Sequence, residues 1–389
     1  MDSTNGINGI NQPESGCITP TQGNIIYNLR VFRREMVYWA RVFFNSVFAD
    51  IGSADDVFTR LYYVPTGYAQ TLRFIMDRRD AETFEQQYQQ YIVQLRELIM
   101  SALRGDATGV ETSISRIRAN IKARSEFMAS AFPDLDKEVL EEMLWTITQY
   151  EIEEINAYIT QDYSRIIEIY DNLIEQSDRT ADYMASGMIK LINAAPVPGS
   201  AADRRNEAPT VCVTPEDLDI ILKMALFWVD IVTWYRAYRV SIMAGIGKGE
   251  VLLDRVIRKT EEFGELLRLF VDEEVANTQV KLLQEYLLLM DRHLRARMDG
   301  NVEEMNRLYK LAVDNIEERA AFYAEAFPGL DADAWRNQLL KLHSTLIEMG
   351  GEFLAGNFTR NIQIFDALVN QAEDMGIEFL SALIATDPL

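Results

Sequence analysis

The sequence predicts an all-α protein made of two homologous helical bundles in tandem, and three observations support this prediction. Stretches rich in Leu, Ile, Glu, Arg, Gln and Ala favour helices along most of the 389 residues. No stretch shows the period-two alternation of apolar and polar residues that is typical of a half-buried strand. The helical pattern also occurs twice, because residues 17–194 align with residues 212–389 at a constant offset of 195 without a gap.

The first long helix of each repeat shows the duplication most clearly. Cys17-Ile-Thr-Pro20 opens the first copy and Cys212-Val-Thr-Pro215 opens the second. In both copies Ile, Phe, Trp and Ser follow at a spacing of seven residues, which is about two helical turns, so they share one face. We expect an ancient duplication whose units pack about a pseudo-two-fold axis, as in a fused symmetric dimer. Two units joined only by a linker are the alternative.

Six helices are predicted in each repeat. Thr19 and Thr214 are the N-caps of the first helices, with proline in the next position. A short second helix over 55–63 is expected to end at Pro65 and Gly67, in the first repeat only. The other predicted helices of the first repeat span about 20–49, 81–103, 107–131, 137–159 and 163–192.

The segments outside the helices set the predicted domain boundaries. Residues 1–16 are polar and acidic and are expected to be a mobile tail, whereas 195–211 have the Pro, Gly and Ser content of a linker. The predicted bundles are therefore 17–194 and 212–389. The N-terminus lacks the regions of a signal peptide, and no apolar run is long enough to span a bilayer, so we expect a cytoplasmic protein without membrane insertion.

The acidic charge excludes one class of partner. The formal net charge is −22. Binding to nucleic acid without sequence preference requires clustered Lys and Arg that neutralise phosphates. We therefore predict no nucleic-acid partner.

Residue types that support catalysis or metal binding are few. His293 and His343 are the only histidines, and the first repeat has Leu98 and Thr148 at the equivalent positions. Neither histidine belongs to a Glu-x-x-His pair, and there is no glycine-rich phosphate loop or Gly-x-Ser-x-Gly motif. We interpret the histidines as solvent-facing or hydrogen-bonded. The sequence predicts no catalytic residue, no metal and no cofactor, and it favours a protein that is not an enzyme.

The two cysteines precede the first helix of each repeat at equivalent positions. A thiol near a helix N-terminus can have a lowered pKa, but no histidine accompanies Cys17 or Cys212 in the sequence. We interpret both as small apolar residues inherited by the two copies. A disulfide between units or chains is the alternative, and it requires the two helix starts to lie side by side.

A recurring polar set provides the candidate binding sites. One tryptophan, one arginine and one tyrosine occur at equivalent positions of the two repeats: Trp39, Arg41 and Tyr91, and Trp234, Arg236 and Tyr286. One interpretation is structural, with each arginine crossing its bundle to pair with a carboxylate such as Asp171 or Asp366. The other is a small pocket in which a planar guanidinium beside aromatic rings binds a carboxylate or phosphate ligand.

The chain also resembles a known group of proteins. Val37-Tyr-Trp-Ala-Arg41, Ala131-Phe-Pro133 and Ala355-Gly-Asn-Phe358 followed by Phe365-Asp366 are similar to a group of uncharacterised helical proteins of spore-forming bacteria. Those proteins are single units of this length without an established activity; some carry the name acetylglutamate kinase, although nothing in this sequence resembles a kinase fold. Members carry histidine at positions that are here Met36, Tyr91 and Ile147, and Ile231, Tyr286 and Leu342. If those histidines bind a metal or cofactor, the resemblance implies that both repeats have lost that site.

Two functions follow as hypotheses. The favoured one is a non-enzymatic structural, assembly or interaction protein of the cytoplasm or spore, which acts through a protein partner or self-association. The alternative is a helical bundle that binds a small anion or metabolite, descended from a metal-binding protein.

Overall fold

A computed structural model describes residues 17–52, 54–194 and 213–386. Within these ranges the chain forms twelve α-helices and no strand, apart from one isolated β-bridge. The prediction of an all-α protein is therefore confirmed. The predicted tail at 1–16 and linker at 195–211 lie outside the described residues, as does Cys212.

The chain divides into two compact units, unit 1 at Met1–Leu218 and unit 2 at Asp219–Leu389. Unit 1 contains α1 (Pro20–Phe48), α2 (Ala54–Leu72), α3 (Arg78–Leu103), α4 (Ala107–Ala131), α5 (Lys137–Ile159) and α6 (Tyr163–Ala194). The boundary falls within α7 (Pro215–Ala244), and unit 2 continues with α8 (Gly249–Leu267), α9 (Glu273–Met298), α10 (Val302–Ala326), α11 (Ala332–Leu354) and α12 (Phe358–Thr386). Each of the six starts from α1 to α6 recurs 195 residues later, at the starts of α7 to α12.

Local capping residues explain why these helices begin and end where they do. The Thr19 side chain accepts a hydrogen bond from the Gln22 backbone N–H, and the Gln22 side-chain oxygen accepts one from the Thr19 backbone N–H, which forms a capping box. Asp106 and Asp136 accept backbone N–H groups at the starts of α4 and α5. The turn after α3 requires a left-handed residue, and Gly105 supplies it with φ of 66°.

The extent of α2 differs from the prediction. The helix continues through Pro65 to Leu72 instead of ending near residue 63. Proline in a helix interior removes one backbone hydrogen bond and opposes the helix. Here the local penalty is outweighed because Leu61, Val64 and Tyr68 are buried on one face of the helix.

The seven-residue stripe of the first helices forms part of each hydrophobic core. In unit 1 the ring of Phe32 stacks on Tyr68 of α2, with centroids 4.5 Å apart. In unit 2 the ring of Phe227 stacks on Phe263 of α8 at 3.9 Å. Trp228, on the neighbouring position of α7, meets Trp335 of α11 edge to face at 5.4 Å. Aromatic pairs of this kind add to the free energy gained from burial.

The start of α1 is fixed to the segment before α7. Ile18 and Val213 form an antiparallel bridge, with N–H to O distances of 2.9 and 3.0 Å. Cys17 is disulfide-bonded, so its interpretation as a small apolar residue is wrong; Cys212 is the only other cysteine of the sequence. No helix among the described residues is both long and apolar enough to cross a membrane.

Candidate functional site

The predicted site residues of unit 1 lie on two sides of α1. The Arg60 guanidinium lies 5.0 Å from the ring of Trp39, whereas the Arg41 guanidinium lies 4.1 Å from the ring of Tyr170 on α6. Two positions along a helix are separated by about 200°, so the two side chains point in nearly opposite directions. The structure therefore does not place Trp39 and Arg41 in one pocket.

Tyr91 belongs to a buried polar cluster at the centre of unit 1. Its hydroxyl donates to the Glu151 carboxylate of α5 and lies 3.0 Å from Thr148 Oγ1. The Arg124 guanidinium of α4 lies 4.5 Å from the Tyr91 ring. One turn after Glu151, Glu154 lies close enough to Arg41 to interact electrostatically. Buried arginines and buried carboxylates therefore occur together in this unit.

Burial controls the protonation of the two carboxyl groups. Loss of hydration raises the pKa of Glu151 from its usual 4.5 to about 7, although the Tyr91 hydrogen bond, Arg33 and Arg124 oppose the rise. Burial likewise raises the pKa of Glu154 to about 8, against the opposing charge of Arg41. Both groups therefore exchange protons near neutral pH.

Unit 2 repeats several of these contacts. The Arg255 guanidinium lies 5.1 Å from the ring of Trp234, and that of Arg236 lies 4.5 Å from the ring of Phe365. The hydroxyl of Tyr286 lies 3.2 Å from His343 Nδ1. As in unit 1, the predicted tryptophan and arginine of the site, Trp234 and Arg236, contact different neighbours.

The carboxylates, however, are replaced in unit 2. The residues 195 positions after Glu151 and Glu154 are Leu346 and Met349, and both are buried. The Arg236 guanidinium makes no ion pair with a described carboxylate, so the pairing with Asp366 proposed from the sequence is not observed. Burial alone lowers the pKa of Arg236 to about 10.

Three buried arginines of unit 2 lack an anionic partner among the described residues. Arg236, Arg239 and Arg319 are only 7%, 2% and 1% exposed. Nε of each has no hydrogen-bond partner, and neither has Nη1 of Arg239 or Nη2 of Arg319. A buried guanidinium without a counter-charge is unfavourable by several kcal/mol. These arginines therefore carry N–H donors that have no partner among the described residues.

Arg239 and Arg319, from different helices, both act through their charge on the phenol of Tyr286. Arg319 lies 5.4 Å from the Tyr286 ring, and Arg239 lies 5.7 Å from the ring of Tyr235. Burial raises the pKa of Tyr286, and the charges of both arginines oppose this rise. The Arg319 guanidinium therefore lies beside Tyr286, and that of Arg239, which lies nearer Tyr235, still acts on the Tyr286 hydroxyl through its charge.

A pair of glycines on α11 makes room for the arginines. A Cβ at Gly350 would lie 2.2 Å from Nη2 of Arg239, and a Cβ at Gly351 would lie 2.4 Å from Nη2 of Arg297. Arg297 Nη1 also donates to the carbonyl of Ile347 at 3.2 Å. The guanidiniums thus lie against the α11 backbone, which supplies no negative charge.

The two histidines lie in the same cationic region. Both are buried, so neither is solvent-facing. Burial, His293 and Arg239 lower the pKa of His343 to about 4, and burial, Arg239 and Arg297 lower the pKa of His293. His343 is therefore neutral at pH 7, and its Nε2 has no hydrogen-bond partner.

Chemically, this part of unit 2 offers strong hydrogen-bond donors and positive charge in a desolvated interior. Planar guanidiniums bind carboxylate and phosphate groups through parallel N–H bonds. Within the described residues, no three His, Cys, Asp or Glu side chains are grouped so that they could hold a metal ion. The donor set fits an anion.

Only part of this site is apparent in the sequence. The sequence predicts Arg236 and Tyr286 as site residues, but not Arg239, Arg319 or His343. Arg319 has a usable signal, because it recurs as Arg124 and follows Ile316 and Ala312 on the buried face of α10. Arg239 has none, since the equivalent residue of the first repeat is Phe44.

Comparison with family models, with curated proteins and with solved structures finds no match for this chain. Its function is therefore inferred from its own residues.

Proposed function

We propose that the protein is a non-enzymatic binding protein whose unit 2 holds a small anionic ligand. One observation supports this proposal above all: three arginines are buried in unit 2 without a carboxylate partner among the described residues. At the positions of Leu346 and Met349, unit 1 has Glu151 and Glu154, so its buried arginines have carboxyl groups near them. A bound anion would supply the missing negative charge in unit 2.

Thermal unfolding in different anions at constant ionic strength tests this function. A ligand that binds only the folded state stabilises it, by about 2.7 kcal/mol at a concentration 100 times its Kd. We expect one anion among chloride, sulfate, phosphate and acetate to raise the Tm specifically. Arg239→Met and Arg319→Met should remove the response, and without anion they should be neutral or stabilising, because a buried unpaired charge has been replaced by an apolar chain.

Arg360→Met is the matched control, since Arg360 is an exposed arginine of unit 2 that pairs with Glu348 at 2.9 Å. This variant should keep the full anion response. If Arg239→Met and Arg319→Met instead destabilise the protein and respond to anions as the wild type does, the arginines have a structural role and the proposed function is wrong.

We also infer that the two units descend from one duplicated bundle. The recurrence of all six helix starts at an offset of 195 supports this origin. Equivalent side-chain contacts support it as well: Asn120 donates to the carbonyl of Gln87 at 3.0 Å, and Asn315 donates to that of Leu282 at 3.1 Å. The pseudo-two-fold packing, the cytoplasmic or spore location and the likeness to proteins of spore-forming bacteria stay predictions.

Self-association is a second candidate function, and a recurring exposed surface favours it. Large apolar residues are exposed at equivalent positions of the two units: Phe74 and Leu269, Val93 and Leu288, Leu103 and Met298, and Ile159 and Leu354. A large exposed apolar patch marks a surface that contacts another chain, and the recurrence of these residues in both units supports the proposal that they belong to one. The proposed occupant is a second copy of this protein.

Sedimentation equilibrium of the double variant Val93→Glu and Leu288→Glu tests this candidate. We expect the wild type to form a dimer or larger oligomer and the variant to shift toward the monomer, because charged residues oppose burial in an interface. Val139→Glu is the control, since Val139 is comparably exposed on α5 but has no large apolar equivalent in unit 2, where Ala334 occupies the position. A wild-type monomer at all concentrations would exclude self-association.

A further inference from the structure

We propose that the anion of unit 2 is the carboxylate group of a small molecule, bound between Arg239, Arg319 and Tyr286 in the role that the Glu151 side chain has in unit 1. This inference rests on the proposed anion-binding function and specifies its ligand.

The first step is that the arginine and the tyrosine are placed alike in the two units. Asn120 fixes α4 to α3, and Asn315 fixes α10 to α9, through the same type of hydrogen bond at 3.0 and 3.1 Å. About one turn later on the same helices come Arg124 and Arg319, each beside a tyrosine ring, at 4.5 and 5.4 Å. The guanidinium and phenol therefore form the same pair twice.

The second step concerns the helix that carries the carboxylate in unit 1. On α5, Thr148 Oγ1 lies 3.0 Å from the Tyr91 hydroxyl; on α11, His343 Nδ1 lies 3.2 Å from the Tyr286 hydroxyl. The two helices thus meet their tyrosines in the same register. Three residues later α5 presents Glu151, whereas α11 presents Leu346, which has no acceptor.

The third step concerns hydrogen-bond donors of unit 2 that have no acceptor. Arg239 adds a second guanidinium, whose charge acts on Tyr286. Its Nη2 would lie 2.2 Å from a Cβ at Gly350, about one turn after Leu346 on α11. Nε and Nη1 of Arg239 and Nε and Nη2 of Arg319 have no hydrogen-bond partner. A carboxylate has two oxygens and about four lone-pair sites, so it can accept from both arginines.

The fourth step selects a carboxylate rather than an inorganic oxyanion. In unit 1 the group that the protein itself places beside this arginine and tyrosine is a carboxylate on a short alkyl chain. In unit 2 the neighbouring α11 positions, Leu342, Leu346 and Met349, are apolar and buried. They suit the hydrocarbon part of a small carboxylic acid, but they give a fully hydrated sulfate or phosphate no hydrogen bonds.

Two substitutions at position 346 of the full chain test the inference, with propionate as the probe. Leu346→Glu should supply the carboxyl group internally, as Glu151 does in unit 1, so its Tm without added anion should exceed that of Leu346→Gln by roughly 2–4 °C or more. It should also lose the rise in Tm that propionate gives the wild type. Leu346→Gln is the control: it has nearly the same shape without the charge, so its Tm should not exceed that of the wild type.

Unit 1 provides a reciprocal test that does not depend on variants at position 346. Glu151→Ala removes the carboxylate and leaves space beside Arg124 and Tyr91. Its Tm should fall, and acetate should restore part of the loss where equal concentrations of sulfate do not.

The outcomes separate the ligand class from the general function. If sulfate, phosphate or chloride stabilises the wild type through Arg239 and Arg319 but propionate and acetate do not, the carboxylate assignment is overturned while anion binding stands. If Leu346→Glu lowers the Tm as much as Leu346→Gln, the assignment is likewise overturned. If no anion raises the Tm of the wild type, the anion-binding function itself fails.

Discussion

Single buried residues decide how the two units differ. Glu151 and Glu154 place titratable carboxyl groups among the arginines of unit 1, where burial raises their pKa values to about 7 and 8. In unit 2 the titratable group is His343, whose pKa is lowered to about 4. The two units therefore differ in that buried carboxyl groups lie among the arginines of unit 1, whereas Leu346 and Met349 take those positions in unit 2.

These residues predict opposite pH dependence for the two units. A raised carboxyl pKa gives stability that is complete below the usual value of 4.5 and is lost as the pH rises through 7 and 8. A lowered histidine pKa gives stability that is present above the usual value of 6.5 and is lost as the pH falls toward 4. Hydrogen exchange resolved by peptide mass should show unit 1 better protected at pH 5.5 than at pH 8.5, and unit 2 the reverse.

Glu151→Gln and His343→Gln are the controls for this prediction. The first should weaken the loss of protection in unit 1 at high pH, and the second should weaken the loss in unit 2 at low pH. Protection that changes in parallel in both units would contradict the assignment of the pH dependence to these side chains.

Between helices, equivalent contacts are made by different chemistry. In unit 1, α1 and α6 are joined by two ion pairs, a buried one between Arg30 and Asp182 at 2.8 Å and a part-buried one between Arg34 and Asp178 at 2.6 Å. In unit 2 the residues equivalent to Arg30 and Asp182 are Ala225 and Ile377. There α7 and α12 approach closely enough that a Cβ at Gly376 would lie 2.0 Å from the Ala225 carbonyl oxygen.

The close approach predicts that Gly376→Ala destabilises unit 2. Because the atom met by the new Cβ is backbone, the helices must move apart, and overpacking of this kind costs about 1–3 kcal/mol or more. The equivalent residue of unit 1 is Ala181, which its bundle already accommodates. Urea denaturation should show the loss of stability in the midpoint of unfolding.

Gly67→Ala is the matched control for this prediction. Gly67 is also a helical glycine, but a Cβ there meets no atom within 4 Å. The substitution should be neutral or raise stability by about 0.4–1 kcal/mol, because alanine restricts the unfolded chain. If Gly376→Ala behaves in the same way, the helix contact is looser than the structure indicates.

For the molecule as a whole, the sequence predicts the helices better than the site. Helix starts depend on local signals such as Thr19, Asp106 and Asp136, which are readable without the fold. The predicted length of α2 was wrong because the packing of its apolar face outweighs the penalty of Pro65 in the helix. The sequence alone does not reveal that packing. Local rules therefore give the boundaries except where tertiary packing opposes them.

The candidate site depends on contacts between residues of different helices. The pairing of Glu151 with Tyr91 joins residues 60 positions apart, and no periodicity within either helix indicates it. Arg239 lies on α7, a helix that is buried on several sides, as residues 224–229 show. Such a helix has no clear polar face, so the position of an arginine along it does not indicate where its side chain points. The difference between the two interiors is, however, visible in the sequence. When the halves are aligned at an offset of 195, Glu151 and Glu154 face Leu346 and Met349.

The edge-to-face contact of Trp228 with Trp335 also has an optical consequence. Two indoles with centroids 5.4 Å apart couple their electronic transitions, and this coupling gives near-ultraviolet circular dichroism that disappears when the rings separate. In unit 1, by contrast, Trp39 lies beside Arg60 and Trp145 lies beside Arg118, so each indole faces a cation. The unfolding of unit 2 can thus be followed by its own spectroscopic signal in the intact chain, without any added label.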